Sequence, residues 1–478
     1  MAQGGELLMW TGSTKVLSDE DAKRIHTASL EVLEQTGTYI PHDDILKKLN
    51  NAGAHVDRQN SIARFPASLV EDLIQKAPRT IALHSRSERE AIDIGHGVTR
   101  AVSGFDATFM QDFGTRDRRP ITKEEVGNFA RIADRLEHID IVGVQGIPQD
   151  VSQDKAEAYA ALLLLENTSK HILIAPDTGA VAHTIFSMIK SVTGSNDIGS
   201  KPVVSCHISP SAPLRWTPET CKIIMHVIKE GVPFYILPAP MAGATSPVTL
   251  AGHLVQHNAQ ILTGMAIAQA LRAGQPVVYC NAHTLFNMRE GNPVIATPET
   301  LLLRHAGAQM ARLYGIPSHS IGFDTDAHIV DQQCIWEKAL SAMACVNAGI
   351  DVMVNLGMFS TGLNTSYESL VIDHEIFSQL RRFQRGIEVT DDHLAVDVIN
   401  KIGTWGSYLE EEHTLRHFKS ENWYPDISCR KLFEKWSEEG KKDMLTAAHE
   451  KLQGILAQHT GTIVDTRLKN KLERMILE

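Results

Sequence analysis

Short apolar segments alternate with longer stretches of helical periodicity through the middle of the chain. Eight segments are rich in apolar and β-branched residues, and a stretch with apolar positions at helical spacing follows each of them. The segments are residues 101–104, 141–146, 171–175, 202–207, 232–237, 276–281, 318–322 and 351–356. Strands that alternate with helices indicate parallel βαβ units, and eight units in about 260 residues suffice for a closed (β/α)8 TIM barrel. Since such barrels place their chemistry at the carboxyl ends of the strands, the pattern also locates the candidate site.

The predicted barrel helices begin at clear capping signals. Thr122 with Glu125 forms a capping box, and Thr217-Pro218-Glu219 supplies an N-cap, a proline at the first helical position and an acid in the first turn. Thr297-Pro298-Glu299 repeats that arrangement, and Ser366 is a candidate cap for a helix that ends at Gly386. These signals place loops between the strand ends and the helix starts, where active-site loops lie in a barrel.

The barrel is predicted over residues 101–387, and helical additions are predicted on both sides of it. Residues 1–100 read as a helical extension with helices over 19–35, 43–51 and 66–75, and residues 81–99 are candidates for strands outside the barrel. Residues 388–478 read as helical, over 394–402, 428–439, 442–458 and 466–478. We expect the three regions to form one integrated catalytic unit, an α/β fold built on a single barrel.

Composition excludes several classes of partner. The 478 residues carry a net charge of −11, which disfavours nucleic acid and anionic membranes. Six cysteines show no CxxC spacing and are typical of reduced thiols. The chain start lacks the pattern of a signal peptide, and the longest apolar run, residues 158–165, is too short to span a bilayer. We therefore expect a cytoplasmic protein with no nucleic-acid or membrane partner. We also expect a homo-oligomer.

The ends of the predicted strands supply the candidate site residues. Asp324 and Asp326 are candidates for general acid–base catalysis, although either could instead cap a helix or fix a loop, and Asp331 is expected to cap a helix. Aromatic residues around one mouth would suit a quaternary ammonium group through cation–π attraction, or they could simply pack. The predicted substrate-binding residues are Phe105, Phe109, Gln145, His207, Asn281, His283, Gly322, Phe323, Asn355, Phe359 and Tyr367.

No metal site is predicted, and neither is nucleotide or serine-hydrolase chemistry. Cys206–His207 and Cys280–His283 could supply a thiolate–imidazole zinc site. However, neighbours on a strand point to opposite faces, so Cys206 and His207 cannot both face the barrel interior. The sequence lacks GxSxG, Walker A and GxGxxG motifs. The residues alone thus indicate a barrel enzyme that acts on a small molecule.

Four stretches together resemble the trimethylamine methyltransferase superfamily. They are MAGATSPVTLAG (residues 241–252), GFDTDAHIVDQQCIWEKAL (322–340), LVIDHEI (370–376) and HTLRHFKSENWYPDISCRKLFEKW (413–436). The resemblance implies a (β/α)8 enzyme that moves a methyl group from a methylated amine to the Co(I) corrinoid (cobalamin) of a separate protein. The founding members carry pyrrolysine at the barrel mouth, whereas this chain has only standard residues and runs uninterrupted through 322–326.

The missing pyrrolysine points to the branch of the family whose substrates are quaternary amines such as glycine betaine. The resemblance therefore implies a glycine betaine:corrinoid protein methyltransferase that releases dimethylglycine and acts with a cognate corrinoid protein. Cobalamin-binding modules use DxHxxG, and the nearest segment here, Asp326-Ala327-His328-Ile329-Val330-Asp331, lacks the glycine. We therefore expect the corrinoid on the partner protein and no tightly bound cofactor on this chain.

Two alternative functions stay open at this point. A metal-dependent barrel lyase or hydrolase would use Asp324, Asp326 and His283, and bound zinc or magnesium would favour it. A non-catalytic betaine-binding protein would bind the same ligand without transferring a methyl group.

Overall fold

Eight parallel strands close into a barrel, as the sequence predicts. The computed structural model describes residues 14–87, 89–458 and 463–477. The barrel strands are β1 (Arg100–Ser103), β2 (Ile141–Gly143), β3 (His171–Ile174), β4 (Val204–Ile208), β5 (Phe234–Ile236), β6 (Val277–Asn281), β7 (Ser318–Ile321) and β8 (Val352–Leu356). Each strand pairs with the next one along the chain, and β8 pairs with β1 to close the barrel. Every predicted strand segment contains one of these strands or overlaps it, so the TIM-barrel prediction is confirmed.

Helices surround the barrel and extend beyond it at both ends of the chain. They are Asp19–Gln35, Asp43–Ala52, Ala67–Ile74, Lys123–Arg135, Gln153–Asn167, Gly179–Thr193, Pro218–Glu230, Leu250–Leu271, Pro298–Tyr314, Gln332–Ala348, Tyr367–Gln384, Asp391–Leu394, Val396–Ile402, Glu412–Glu421, Phe433–Glu438, Met444–Ala457 and Thr466–Leu477. The predicted caps are present: Thr122 forms a capping box with Glu125, and the Asp331 side chain accepts a hydrogen bond from the Cys334 amide. The helix Glu412–Glu421 was not predicted.

An antiparallel hairpin fills the amino-terminal end of the barrel. Its strands, Ile81–Leu83 and Ile92–Ile94, pack with interior residues of the barrel strands in one apolar cluster. The amides of Gly95 and Gly97 donate to the Asp351 carboxylate at 2.8 and 2.7 Å, which ties the hairpin to the start of β8. The hairpin thus occupies the end of the barrel where the strands begin, and the candidate site lies at the opposite end, where the strands finish.

Two small sheets cover the carboxyl-terminal end, and sequence periodicity did not predict them. One contains Met358–Phe359, Asn364–Thr365, Phe109–Gln111 and Arg118–Pro120, from the loops after β8 and β1. The other contains Met241–Ala242, Thr284–Asn287 and Asn292–Val294, from the loops after β5 and β6. Their strands are two to four residues long, too short for alternation of apolar and polar positions to be visible.

The terminal regions pack against the barrel helices. The first helix, Asp19–Gln35, contacts Leu250–Leu271, and Met444–Ala457 contacts Tyr367–Gln384. A three-stranded antiparallel sheet of Thr38–Tyr39, His55–Asp57 and Ile62–Arg64 interrupts the N-terminal region that was predicted to be helical. Among the described residues, no helix has the length and apolar character needed to cross a membrane.

Candidate functional site

A cluster of aromatic and imidazole rings occupies the barrel interior near the strand ends. The ring of Phe105, in the loop after β1, lies 4.5 Å from the ring of His207 on β4. Tyr235 on β5 and His319 on β7 complete the cluster, with ring centroids 5.3 and 4.8 Å from that of His207. Alternation along β4 turns His207 inward, while the preceding Cys206 packs in the apolar layer beneath the helices.

Burial keeps this cluster uncharged at neutral pH. Loss of solvent lowers the pKa of His207 to about 3 and holds that of His319 well below its ordinary value. The same desolvation raises the pKa of the Tyr235 hydroxyl and of the Cys280 thiol. The interior thus presents neutral rings and a neutral thiol to whatever binds above it.

The sequence prediction did not select two carboxylates, Asp106 beside Phe105 and Glu157, which interacts electrostatically with Asp106. Asp106 follows Phe105 in a left-handed backbone conformation, and desolvation raises the pKa of its carboxyl to about 8. Desolvation, with the charges of Asp177 and Asp106, raises the pKa of Glu157 to about 9. A cation bound beside these groups would favour their ionised forms. The position of Asp106 at the end of β1 was visible in the sequence, but the desolvation of its carboxyl was not.

Gln145 braces the strand ends at this mouth. Its Oε1 accepts a hydrogen bond from the Gly104 amide at 2.9 Å, and its Nε2 donates to the Leu356 carbonyl and to the Thr365 hydroxyl. A Cβ at Gly104 would lie 2.3 Å from the Gln145 Nε2, so the glycine leaves room for the amide. These contacts place Gln145 among β1, β2 and β8 with both amide atoms in use.

Asn281 ends β6 and His283 follows it, but both side chains point away from the ring cluster. A Cβ at Gly307 would lie 1.6 Å from Asn281 Oδ1, so the Asn281 side chain faces the helix Pro298–Tyr314. His283 Nδ1 lies 2.9 Å from His253 Nε2, and both rings are buried beside the helix Leu250–Leu271. The prediction that both side chains line the mouth is corrected, because inward orientation on β6 belongs to Val278 and Cys280.

Asp324 and Asp326 have structural partners in the loop after β7. Asp324 forms a fully buried ion pair with Arg304. The Asp326 carboxylate accepts hydrogen bonds from the amides of Ile295 and Ala296 and from the Thr361 hydroxyl. These contacts match the loop-fixing alternative that the sequence left open. A catalytic role for the two residues stays a prediction.

The other predicted aromatic residues pack in separate places. The Arg118 guanidinium lies 4.1 Å from the centre of the Phe109 ring. The Tyr367 ring lies 4.4 Å from that of Phe129, and the Asn128 side chain donates to the Tyr367 hydroxyl, so Tyr367 packs against the helix Lys123–Arg135. Phe323 is buried in the main apolar core, and Phe359 packs with Ala327 and Cys334 under a loop. One mouth lined by all these rings is therefore not observed.

Gly322 and Asn355 are the remaining predicted residues. A Cβ at Gly322 would lie 2.4 Å from Met353 Cγ, so the glycine allows close packing between β7 and β8. Asn355 lies at an irregularity of β8 with a φ of 83° and is 8% exposed. Its side chain makes no hydrogen bond within the described parts of the chain. Its role in binding stays a prediction.

Two groups of residues could hold a metal ion in the part of the chain that the structure describes. His207, Cys280 and His319 form one group inside the barrel, and Asp392, His413 and His417 form another in the C-terminal region. Asp324, Asp326 and His283, the residues of the alternative metal-dependent lyase or hydrolase, are not among them. Cys206 is excluded as a ligand, as the sequence indicated, but Cys280 and His319 take its place beside His207.

Comparison with known proteins identifies the family. The profile described as trimethylamine methyltransferase (MTTB) matches residues 6–478. The chain belongs to this family. It is 31% identical to the trimethylamine methyltransferase MttB of Desulfitobacterium hafniense, over 96% of this chain and 93% of that protein. It is 28% identical to a glycine betaine methyltransferase of Desulfitobacterium hafniense, over 97% of this chain and 96% of that protein.

One solved structure was also compared with the chain. The monomethylamine methyltransferase MtmB of Methanosarcina barkeri overlays with a TM-score of 0.49 at 15% identity, over 93% of this chain and 95% of that one. Membership of the MTTB family makes the chain a methyltransferase of the methylamine type, and the resemblance predicted from four sequence stretches is confirmed.

Proposed function

We propose that the chain transfers a methyl group from a quaternary amine, with glycine betaine as the first candidate, to the Co(I) corrinoid of a separate protein. The observation that carries the proposal is that the half-buried Phe105 ring, which contacts the His207 ring, and the desolvated Asp106 carboxyl belong to neighbouring residues at the end of β1. The relative named glycine betaine methyltransferase supports the choice of substrate, and the relatives named for trimethylamine supply the competing one.

A quaternary ammonium has no N–H group and therefore cannot be held by hydrogen bonds from its nitrogen. It is attracted instead by aromatic faces and by carboxylates, with cation–π contacts of about 0.5–2 kcal/mol each. Phe105 supplies the aromatic face. Asp106 and Glu157 supply negative charge, because a cation beside them lowers the raised pKa of their carboxyls and favours the carboxylate forms.

The chemistry of a quaternary substrate needs few reactive side chains. The electron pair of Co(I) forms the new bond to the methyl carbon, and the electrons of the broken C–N bond stay on nitrogen. Glycine betaine therefore leaves as dimethylglycine, a neutral tertiary amine at nitrogen, without taking up a proton. The enzyme's contribution is to hold N–CH3 in line and to exclude water. A tertiary amine needs prior activation, and the standard residues at 322–326 offer no pyrrolysine for it.

The methyl acceptor is expected on a partner that docks over the carboxyl ends of the strands. The segment 326–331, which most resembles a corrinoid-binding motif, is committed to the fold of this chain. Asp326 accepts backbone amides, Asp331 caps a helix, and His328 Nδ1 lies 2.8 Å from the Ser360 hydroxyl. These hydrogen bonds within the chain, together with the absence of the glycine of the DxHxxG motif, support a corrinoid carried by another protein.

A direct assay tests the proposal. The protein is incubated with glycine betaine and with reduced cobalamin, either free or on a cognate corrinoid protein, and the Co(I) absorbance is followed while dimethylglycine is quantified. We expect loss of Co(I) with equimolar dimethylglycine, and no turnover with trimethylamine. Turnover with trimethylamine alone would overturn the choice of substrate. Binding of betaine without methyl transfer to either acceptor would favour the non-catalytic binding protein instead.

A further inference from the structure

Three metal-binding side chains converge inside the barrel from three different strands. His207 lies on β4, Cys280 on β6 and His319 on β7, and one ligand atom from each lies within 4.8 Å of the others. The three residues are 2%, 0% and 0% exposed. Imidazole nitrogen and thiolate sulfur are the ligands that zinc prefers in proteins.

The histidines of this group have unused nitrogen atoms, which is an independent observation. Both ring nitrogens of His207 and both of His319 are buried without a hydrogen-bond partner in the described structure. Leaving a buried polar group unpaired costs about 1–3 kcal/mol, and such groups in native proteins commonly mark a bound water or ion. The Cys280 thiol donates a long hydrogen bond, 3.6 Å, to the Val278 carbonyl oxygen. A ligand that accepts electron pairs from all three side chains would satisfy this cluster.

We infer that His207, Cys280 and His319 bind one Zn²⁺ ion inside the barrel. Zinc bonds of about 2.0 Å to nitrogen and about 2.3 Å to sulfur require ligand atoms about 3.5 Å apart. Side-chain rotations that move these atoms by about 1 Å bring them to that distance. Cys280 releases its proton to solvent as the ion binds, while the neutral imidazoles coordinate through their lone pairs. Three protein ligands leave the fourth tetrahedral position for water or for an oxygen of a bound molecule.

The site lies directly next to the proposed substrate contact. The His207 ring touches the Phe105 ring, at 4.5 Å between centroids, so the ion would sit beneath the ring that faces the mouth. The inference does not depend on the proposed methyl transfer, because it rests on the ligand set and on the unpaired nitrogens. Its test accordingly measures metal binding and requires no turnover.

Cobalt(II) substitution is the test, because tetrahedral Co²⁺ with a thiolate ligand has a sulfur-to-metal charge-transfer band in the near ultraviolet. The full chain is stripped with a chelator, titrated with Co²⁺, and then challenged with Zn²⁺. We expect the band to saturate at one equivalent and to disappear when zinc displaces the cobalt. The exposed group Asp392, His413 and His417 contains no sulfur and cannot produce this band. The titration is repeated in a His413→Ala variant, so that cobalt bound by this second group does not add to the measured stoichiometry.

A pair of buried cysteines provides the matched variants. Cys280→Ser should abolish the charge-transfer band, whereas Cys206→Ser should retain it, because Cys206 packs on the outer side of β4. Circular dichroism establishes that each variant is folded. If Cys280→Ser does not fold, zinc X-ray absorption of the unaltered chain decides the matter, with one sulfur and two imidazoles expected. The inference is overturned if excess Co²⁺ gives no thiolate band, if Cys280→Ser keeps the band, or if zinc shows no sulfur ligand.

Discussion

Arg304 and Asp324 form an ion pair in which both side chains are fully buried. Arg304 comes from the helix Pro298–Tyr314, and Asp324 comes from the loop after β7, so the pair joins two consecutive βα units. The Ser341 hydroxyl donates to Asp324 at 3.3 Å, and the Asp324 amide donates to the same hydroxyl oxygen at 3.2 Å. Asp324 thus holds a loop at the mouth of the barrel through its charge.

We predict that Asp324→Asn destabilises the fold by about 3–5 kcal/mol, because it leaves the Arg304 guanidinium buried without a counter-charge. Asp326→Asn keeps one acceptor oxygen for the backbone amides and should cost about 1 kcal/mol. Urea unfolding measures both values. The double variant Arg304→Met with Asp324→Leu should recover part of the lost stability. If the two acids are catalytic, as the sequence suggested, both variants would instead lose turnover while the free energy of unfolding stayed unchanged.

Gln145 is predicted to stabilise the mouth by bracing three strands. Gln145→Met is close in size but leaves the Gly104 amide and the Leu356 carbonyl without their partner, at about 1–3 kcal/mol for each buried group. Thermal unfolding should show the loss of stability. Glycine betaine affinity should fall only if the loop after β1, which Gln145 holds through Gly104, moves. Gln145→Glu is the comparison, since it keeps the acceptor for Gly104 but loses the donor to Leu356. Undiminished stability in both variants would contradict the bracing role.

The barrel itself could be predicted because its strands are buried on both faces and read as continuous apolar runs. The helix starts could be predicted because Thr122 and Asp331 cap them locally. Local sequence patterns did not predict the contacts between distant parts of the chain. The pair Arg304–Asp324 links residues that no local pattern connects, and the small sheets over the mouth have strands too short to show a period.

The candidate site was only partly predicted because the inward or outward phase of each strand was not assigned. On β6 the apolar residue Val278 and Cys280 face inward, which turns Asn281 outward, although Asn281 was chosen for its position at the strand end. His319 was missed because it lies within β7, before the strand end. Taking the apolar Val278 as an inward position and counting by two along β6 would have selected Cys280 and not Asn281.

Phe105 and Phe109 are both aromatic residues of the loop after β1, yet we predict that only Phe105 contributes to substrate binding. Phe105→Leu keeps an apolar side chain, although a smaller one, and removes the aromatic face; it should weaken glycine betaine binding by about 0.5–2 kcal/mol, or roughly 2- to 30-fold. Phe109→Leu should have little effect, because the Arg118 guanidinium already covers that ring. Calorimetric titration without the corrinoid partner measures the dissociation constants in the absence of turnover. Equal losses in the two variants would place the ammonium elsewhere.

Binding of the quaternary amine should strengthen as the pH rises through about 8, the pKa to which desolvation raises the Asp106 carboxyl. Above that pH the carboxylate is ionised and attracts the ammonium, whereas below it the carboxyl is neutral. Asp106→Asn should therefore bind weakly at every pH, and its affinity should change little between pH 6 and 9. If some pH dependence of the affinity remains and Glu157→Gln removes it, that part is due to Glu157.

The same shift predicts an opposite effect of Asp106 on stability. The folded-state pKa lies above the ordinary value of 3.8, so the contribution of Asp106 to stability is complete below about pH 4 and is lost as the pH rises towards 8. At pH 8 Asp106→Asn should consequently be more stable than the unaltered protein, because an amide needs no ionisation in a desolvated position. Urea unfolding at pH 5 and pH 8 checks this, with the gain expected to be larger at pH 8. If Asp106→Asn loses both affinity and stability at pH 8, Asp106 serves the fold. A carboxylate that is present to bind a cation is expected to lower the stability of the unliganded protein, so its removal should raise that stability.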